Sequence, residues 1–114
     1  MVSTLGAVTT DCGDAAVLAT FWSQVLGVPV ASELSADFAS ISLPATTLLF
    51  VKVPENKVTK NRVHLDMTTP DLDAETARLV SLGARRVRDI TEHEHRWVTL
   101  ADPEGNEFDL FAAG

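Results

Sequence analysis

The chain has no tyrosine, one cysteine and six scattered glycines in its 114 residues. A single cysteine, Cys12, excludes an intrachain disulfide and a cysteine-rich zinc site. Its expected place is the core, because a nucleophilic role needs a nearby base that the local sequence does not supply. No run of glycines forms a loop that could cradle phosphate, and no serine sits in a Gly-x-Ser-x-Gly turn. Positive charge is also scarce. Nine Lys and Arg stand against sixteen Asp and Glu, a net charge of −7. Such a chain repels phosphate backbones, so nucleic acid is not an expected partner. No apolar run approaches the roughly 18 residues that span a bilayer, so no membrane partner is expected. The first residues lack the basic region and apolar run of a secretory leader, and the expected compartment is the cytoplasm.

What is present is enough apolar material for a packed core: 46% hydrophobic against 22% charged residues. The length predicts one domain over 1–114. Two stretches of basic residues, Lys52, Lys57, Lys60 and Arg62, then Arg85, Arg86 and Arg88, read as solvated loop or strand-edge positions.

The chain states one pattern twice. In the first half Leu5 to Thr10 is a short β-prone run, Asp14 a helix cap, and Ala15 to Leu26 a helix. Val17, Leu18, Phe21, Trp22, Val25 and Leu26 recur there at spacings of three and four. Gly27 stops the helix and "VPVAS" begins a strand. In the second half Asn61 to Met67 is a strand, Asp71 to Leu82 a helix with Leu72, Thr76, Leu79 and Val80 towards the core, and Gly83 the stop. "ARRVRD" begins the next strand. Each half then adds β-prone segments, "FASISL" and "TTLLFVKV" in the first, "HRWVTLA" and "EFDLF" in the second. The predicted class is α+β, two βαβββ modules in tandem forming a curled mixed sheet around a cleft. Module 1 covers about 1–54, a polar linker about 54–61, and module 2 about 61–114.

Alternation along a strand sorts the side chains onto faces. Val63, Leu65 and Met67 should lie under the helix, with His64, Asp66 and Thr68 opposite. "ADPEGNEFDLF" reads as a hairpin, with Pro103 opening a type I turn and Gly105 as its left-handed residue. That register pairs Asp102 with Asn106, Leu100 with Phe108, Thr99 with Asp109 and Trp97 with Phe111. Trp97, Thr99, Asp109 and Phe111 then share the face away from the helix, a mixed surface of the kind ligand sites use.

With these segments in view, the chain resembles the vicinal oxygen chelate superfamily: glyoxalase I, bleomycin- and fosfomycin-resistance proteins, and extradiol dioxygenases. "GDAAVLATFWSQVLGVPV", "NRVHLDMTTPDLDAETARLVSLGA" and above all "LADPEGNEFDLF" carry the likeness, which extends over nearly the whole chain. The nearest subgroup is the small bacterial glyoxalase-like proteins. The resemblance implies paired βαβββ modules around a cleft and a homodimer. It also implies a metal ligand on the first and last strand of each module. Carried over, these are His64 and Asp109, the latter where the family more often has Glu. Module 1 has no counterparts. The partner of His64 is Val8 or Ala7, that of Asp109 falls near Val53, and Thr46 to Val53 contains no Asp, Glu, His or Cys. Asp66 shares the face of His64 without being a usual family ligand. His93 and His95 read as an exposed polar loop, with His95 on the parity of Trp97.

Two functional readings stay open. The first is a binding protein without a full metal site and without a cofactor. Trp97 and Phe111, with Trp22 or Phe38, would stack on a planar small molecule, and His64, Asp66 and Asp109 would orient it or attract a cationic group. The alternative is a metal-dependent lyase or isomerase resembling glyoxalase I, with a divalent metal on His64 and Asp109 as the proton-moving carboxylate. An extradiol dioxygenase fits less well, since those sites often use the tyrosine this chain lacks. A third class, a structural subunit without a small ligand, would show no affinity for any such probe.

Overall fold

In a computed structural model of the protein, which describes residues 4–113, nine elements follow one another. They are β1 (Ala7–Cys12), α1 (Ala15–Leu26), β2 (Phe38–Ser42), β3 (Thr47–Lys52), β4 (Asp66–Thr69), α2 (Leu72–Leu82), β5 (Arg85–Glu92), β6 (His95–Ala101) and β7 (Glu107–Ala112). The chain divides into two compact units, Met1–Asn56 and Lys57–Gly114. The first holds a three-stranded sheet in the order β1-β3-β2, the second a four-stranded sheet in the order β4-β7-β6-β5. Both sheets are mixed, with β1 parallel to β3 and β4 parallel to β7. The architecture is therefore α+β, a tandem of βαβββ-like units.

Both helices begin and end by the same local chemistry. Asp14 and Asp71 hold extended backbone, and each side chain accepts the N–H three residues on, from Val17 and Ala74 at 3.1 Å. Each thereby satisfies an N–H that the helix itself cannot pair. Gly27 and Gly83 close them at φ 68° and 122°, backbone that a Cβ would strain. The buried stripe of α1 is Ala15, Leu18, Ala19, Phe21 and Trp22, and that of α2 is Leu72, Thr76 and Leu79. Val80, expected towards the core, is instead exposed, as is Val17 of the α1 spacing. In the second unit Val98, Leu100, Phe108 and Leu110 are buried, as the alternation of β6 and β7 requires.

Three expected strands differ. "VPVAS" forms none: residues 28–37 run irregularly past β2, with the Ala31 N–H donating to Ser40 O and Asp37 O accepting the Lys52 N–H, both at 2.9 Å. Pro29 removes a donor there, and residues 31–37 are all exposed. β1 lies two residues later than Leu5 to Thr10, because its parallel register with β3 runs to Cys12 opposite Lys52. The strand expected over Asn61 to Met67 begins only at Asp66. Val63, expected under α2, is 78% exposed. Arg62, Val63 and His64 precede the strand, so alternation has no sheet to act on there.

The hairpin register follows the expectation residue by residue. Trp97 faces Phe111, Thr99 faces Asp109 and Leu100 faces Phe108. Asp102 N–H donates to Asn106 O at 2.9 Å, and Gly105 has φ 85°. Asp102, almost fully buried, shapes the turn by accepting the N–H groups of Glu104 and Asn106, both at 2.9 Å, and an Asn106 Nδ2–H at 3.1 Å.

Candidate functional site

The face of the second sheet turned from α2 carries its side chains in rows across the strands. One row is Asp66, Asp109, Thr99 and Arg88, on β4, β7, β6 and β5. The next is Thr68, Phe111, Trp97 and Ile90. All five sequence-derived candidates, His64, Asp66, Trp97, Asp109 and Phe111, thus belong to one sheet face or its margin. Trp97 and Phe111 stack across β6 and β7, with ring centroids 5.2 Å apart and planes 29° apart. His64 lies before β4, yet its Nε2 is 3.3 Å from Asp66 Oδ1 and 3.3 Å from Asp109 Oδ2.

Asp109 is the most buried of the three polar groups, at 17% side-chain exposure against 48% for His64 and 56% for Asp66. Buried Thr99 donates its hydroxyl to Asp109 Oδ1 at 2.6 Å. That bond fixes the carboxylate and turns Oδ2 towards His64. A single ring nitrogen thereby meets two carboxylates. One N–H can point well at only one of them, so hydrogen bonding alone leaves this cluster underfilled.

One ligand atom from each of His64, Asp66 and Asp109 lies within 4.8 Å of the other two. Ions such as Zn²⁺ or Mn²⁺ hold neighbouring N and O donors about 3 Å apart, given bonds of about 2.0–2.2 Å. The observed 3.3 Å separations fit such a centre. In such a centre the Thr99 hydroxyl would supply the outer hydrogen bond that orients the Asp109 carboxylate. Asp66 could there join the expected pair as a third donor, because β4 and β7 align it directly with Asp109.

Other candidates stand elsewhere. Trp22 is 3% exposed and packs edge-on against Phe21, so it is core and lines no site. Phe38 is 41% exposed on β2 of the first unit. His93 and His95 are exposed; His93 and Glu94 form the two-residue turn between β5 and β6. Cys12 is buried and donates to Val51 O at 3.5 Å.

Register also defines the repeat. The triple Asp66, Asp109 and Thr99 corresponds to Thr9, Leu49 and Ser40 in the first unit, where Thr9 and Ser40 both face Leu49. Asp109 thus corresponds to Leu49, not to a residue near Val53. Trp97 and Phe111 correspond to Phe38 and Val51. The first unit has hydroxyl and apolar groups wherever the second has its ionisable ones.

Two charged residues of the second face escaped the sequence reading. Arg88 stands level with Thr99, after a register shift between Arg86 and Arg88 that breaks the alternation of β5. Arg88 Nη2 lies 3.9 Å from Glu107 Oε1, ion-pair range beyond hydrogen-bond reach. That oxygen is buried without a hydrogen-bond partner. The parity of Glu107 with Asp109 was the available signal for it; a bulge leaves no comparable signal for Arg88.

Solved structures share this fold. One is a glyoxalase/bleomycin resistance protein/dioxygenase family enzyme from Burkholderia phytofirmans. It is 18% identical, with TM-score 0.80, and the match covers 96% of this chain and 98% of that one. Another is a mutant of a fosfomycin resistance protein from Listeria monocytogenes complexed with Mn(II) and 1S,2S-dihydroxypropylphosphonic acid. It is 14% identical, with TM-score 0.80, covering 100% and 93%. Lactoylglutathione lyase from Agrobacterium tumefaciens is 14% identical, with TM-score 0.68, covering 97% and 94%. No curated protein sequence matches the chain. The model of the glyoxalase-like domain matches residues 7–111, both repeats and all five candidate site residues included. The chain belongs to the glyoxalase-like domain family, within the vicinal oxygen chelate superfamily.

Proposed function

We propose that this glyoxalase/bleomycin-resistance-like protein binds a small molecule with a planar apolar part and a cationic group against the second-sheet face. One observation carries the reading: the Trp97–Phe111 stack and the Asp66–Asp109 pair occupy adjacent rows of the same sheet, with His64 set against both carboxylates. The aromatic pair offers apolar area to a planar group. The two carboxylates, one row away, attract a positive charge and exclude an anion of the same shape. The same reading takes 1–114 as one domain of two modules, acting in the cytoplasm as a homodimer.

Proflavine, a planar cation, and acridine, its ring system without the amino groups, test the reading by fluorescence titration at neutral pH. Proflavine should bind and acridine bind at least tenfold more weakly. Asp109→Asn should abolish the preference and Trp97→Ala weaken both probes. Equal affinity for the two probes, or none for either, would end the reading.

The convergence of three donors favours a second reading, a metal-dependent lyase or isomerase. His64, Asp66 and Asp109 would hold a divalent ion, which supplies Lewis-acid stabilisation of negative charge on substrate oxygens. In that reading Thr99 keeps Asp109 in its orientation, and a carboxylate of the cluster accepts the substrate proton. About one metal per chain after purification, lost in His64→Ala, would favour this reading over the first.

A further inference from the structure

His64 is the site residue without a strand of its own, since β4 begins two residues later. Its place is nevertheless defined, because the chain on each side of it is tied to β7. On one side Asp109 N–H donates to Leu65 O at 3.0 Å. On the other side a side chain takes over from the backbone ladder. Asn61 Oδ1 accepts the Glu107 N–H at 2.9 Å, and Asn61 Nδ2 donates to Glu107 O at 3.1 Å. The same Nδ2 donates to Val63 O at 2.6 Å, closing a turn immediately before His64.

We infer that Asn61 positions His64, by acting as a side-chain substitute for a strand residue and docking the segment before β4 onto the strand that carries Asp109. The amide is suited to this as no carboxylate is. Its oxygen meets one N–H while its nitrogen meets two carbonyls, so all three contacts are donor to acceptor. Reversing the amide would turn all three into repulsions. Glu107 also belongs to the hairpin end of β7, next to the turn that Gly105 closes. Asn61 is therefore the last fixed point before a stretch in which Arg62, Val63 and His64 are all exposed and add no buried anchor. Without it, Leu65 alone would hold the imidazole, and the 3.3 Å separations would depend on one backbone bond.

The inference rests on His64 belonging to the proposed site, but its test reads geometry without any ligand. Asn61→Asp keeps the size and the acceptor, removes both donations, and sets a carboxylate against two carbonyls. Hydrogen exchange followed by NMR should show the Glu107 amide exchanging at least tenfold faster, while the amides of Val98 and Leu110 keep their protection. The ring 13Cε1–1Hε1 signal of His64, assigned with His64→Gln, should shift or broaden while those of His93, His95 and the Trp97 indole stay in place. An unmoved His64 signal would overturn the inference, as would a uniform loss of protection throughout the second unit. Should the charged variant not fold, Asn61→Ala reads the same signals. A Glu107 amide unprotected in the unmodified protein would overturn the inference outright. Mn(II) added alone reports separately: failure to broaden His64 in the unmodified protein would count against the metal reading and leave the positioning result standing.

Discussion

Thr99 is 3% exposed, and its hydroxyl spends its hydrogen on Asp109. Thr99→Val keeps the shape and removes the donor, so Oδ1 of a largely buried carboxylate loses its partner. We expect a loss of about 1–3 kcal/mol in stability, the range for a buried polar group left unpaired, read by urea denaturation. We also expect weaker proflavine binding, because the carboxylate is no longer held. At this scale the sequence was informative wherever a ladder existed: pairing Thr99 with Asp109 needed only the count around a three-residue turn. It was uninformative for Arg88, because a bulge changes parity without changing composition, and for Val63, because alternation needs a strand.

At the scale of elements, the β5–β6 hairpin departs from what its turn prefers. His93 and Glu94 both have positive φ, 50° and 66°, in a two-residue loop where Asn-Gly is favoured. Replacing them with Asn and Gly should stabilise the protein by about 1 kcal/mol and raise Tm by a few degrees. A lower Tm would show that the pair is held by contacts outside the turn. Next to this hairpin, Arg96 links β6 to Asp89 on β5 and to Asp73 in the first turn of α2, at 2.9 and 3.0 Å. Hydrogen bonding from Arg96, with further attraction from Arg96 and Arg86, outweighs desolvation and holds the Asp89 carboxyl below its ordinary 3.8. A carboxylate depressed in the folded state stabilises above its unfolded value, and that contribution is lost as pH falls through the folded value. Arg96→Met should therefore lower Tm slightly at neutral pH, the groups being exposed, and the deficit should close as pH falls well below 3.8. A deficit independent of pH would assign the effect to packing of the arginine stem.

At the scale of the whole molecule, stability concentrates in the two helix–sheet cores. Phe108 is 1% exposed on the helix side of β7. Phe108→Ala should cost about 3–5 kcal/mol, measured by denaturant unfolding. Light scattering should give the mass of a dimer; a monomer would remove that part of the proposal. No helix among the described residues is long and apolar enough to cross a membrane. The sequence by itself determined the tandem pattern, the helix caps and the β6–β7 register. Each depends on neighbours within a few residues, through helical period, capping chemistry or turn length. Only the tertiary structure decided that Asp66 meets Asp109, that Leu49 takes the corresponding place in the first unit, and that His64 reaches both carboxylates. Those juxtapositions come from parallel pairing and side-chain docking between segments forty or more positions apart, and no local pattern encodes such a distance.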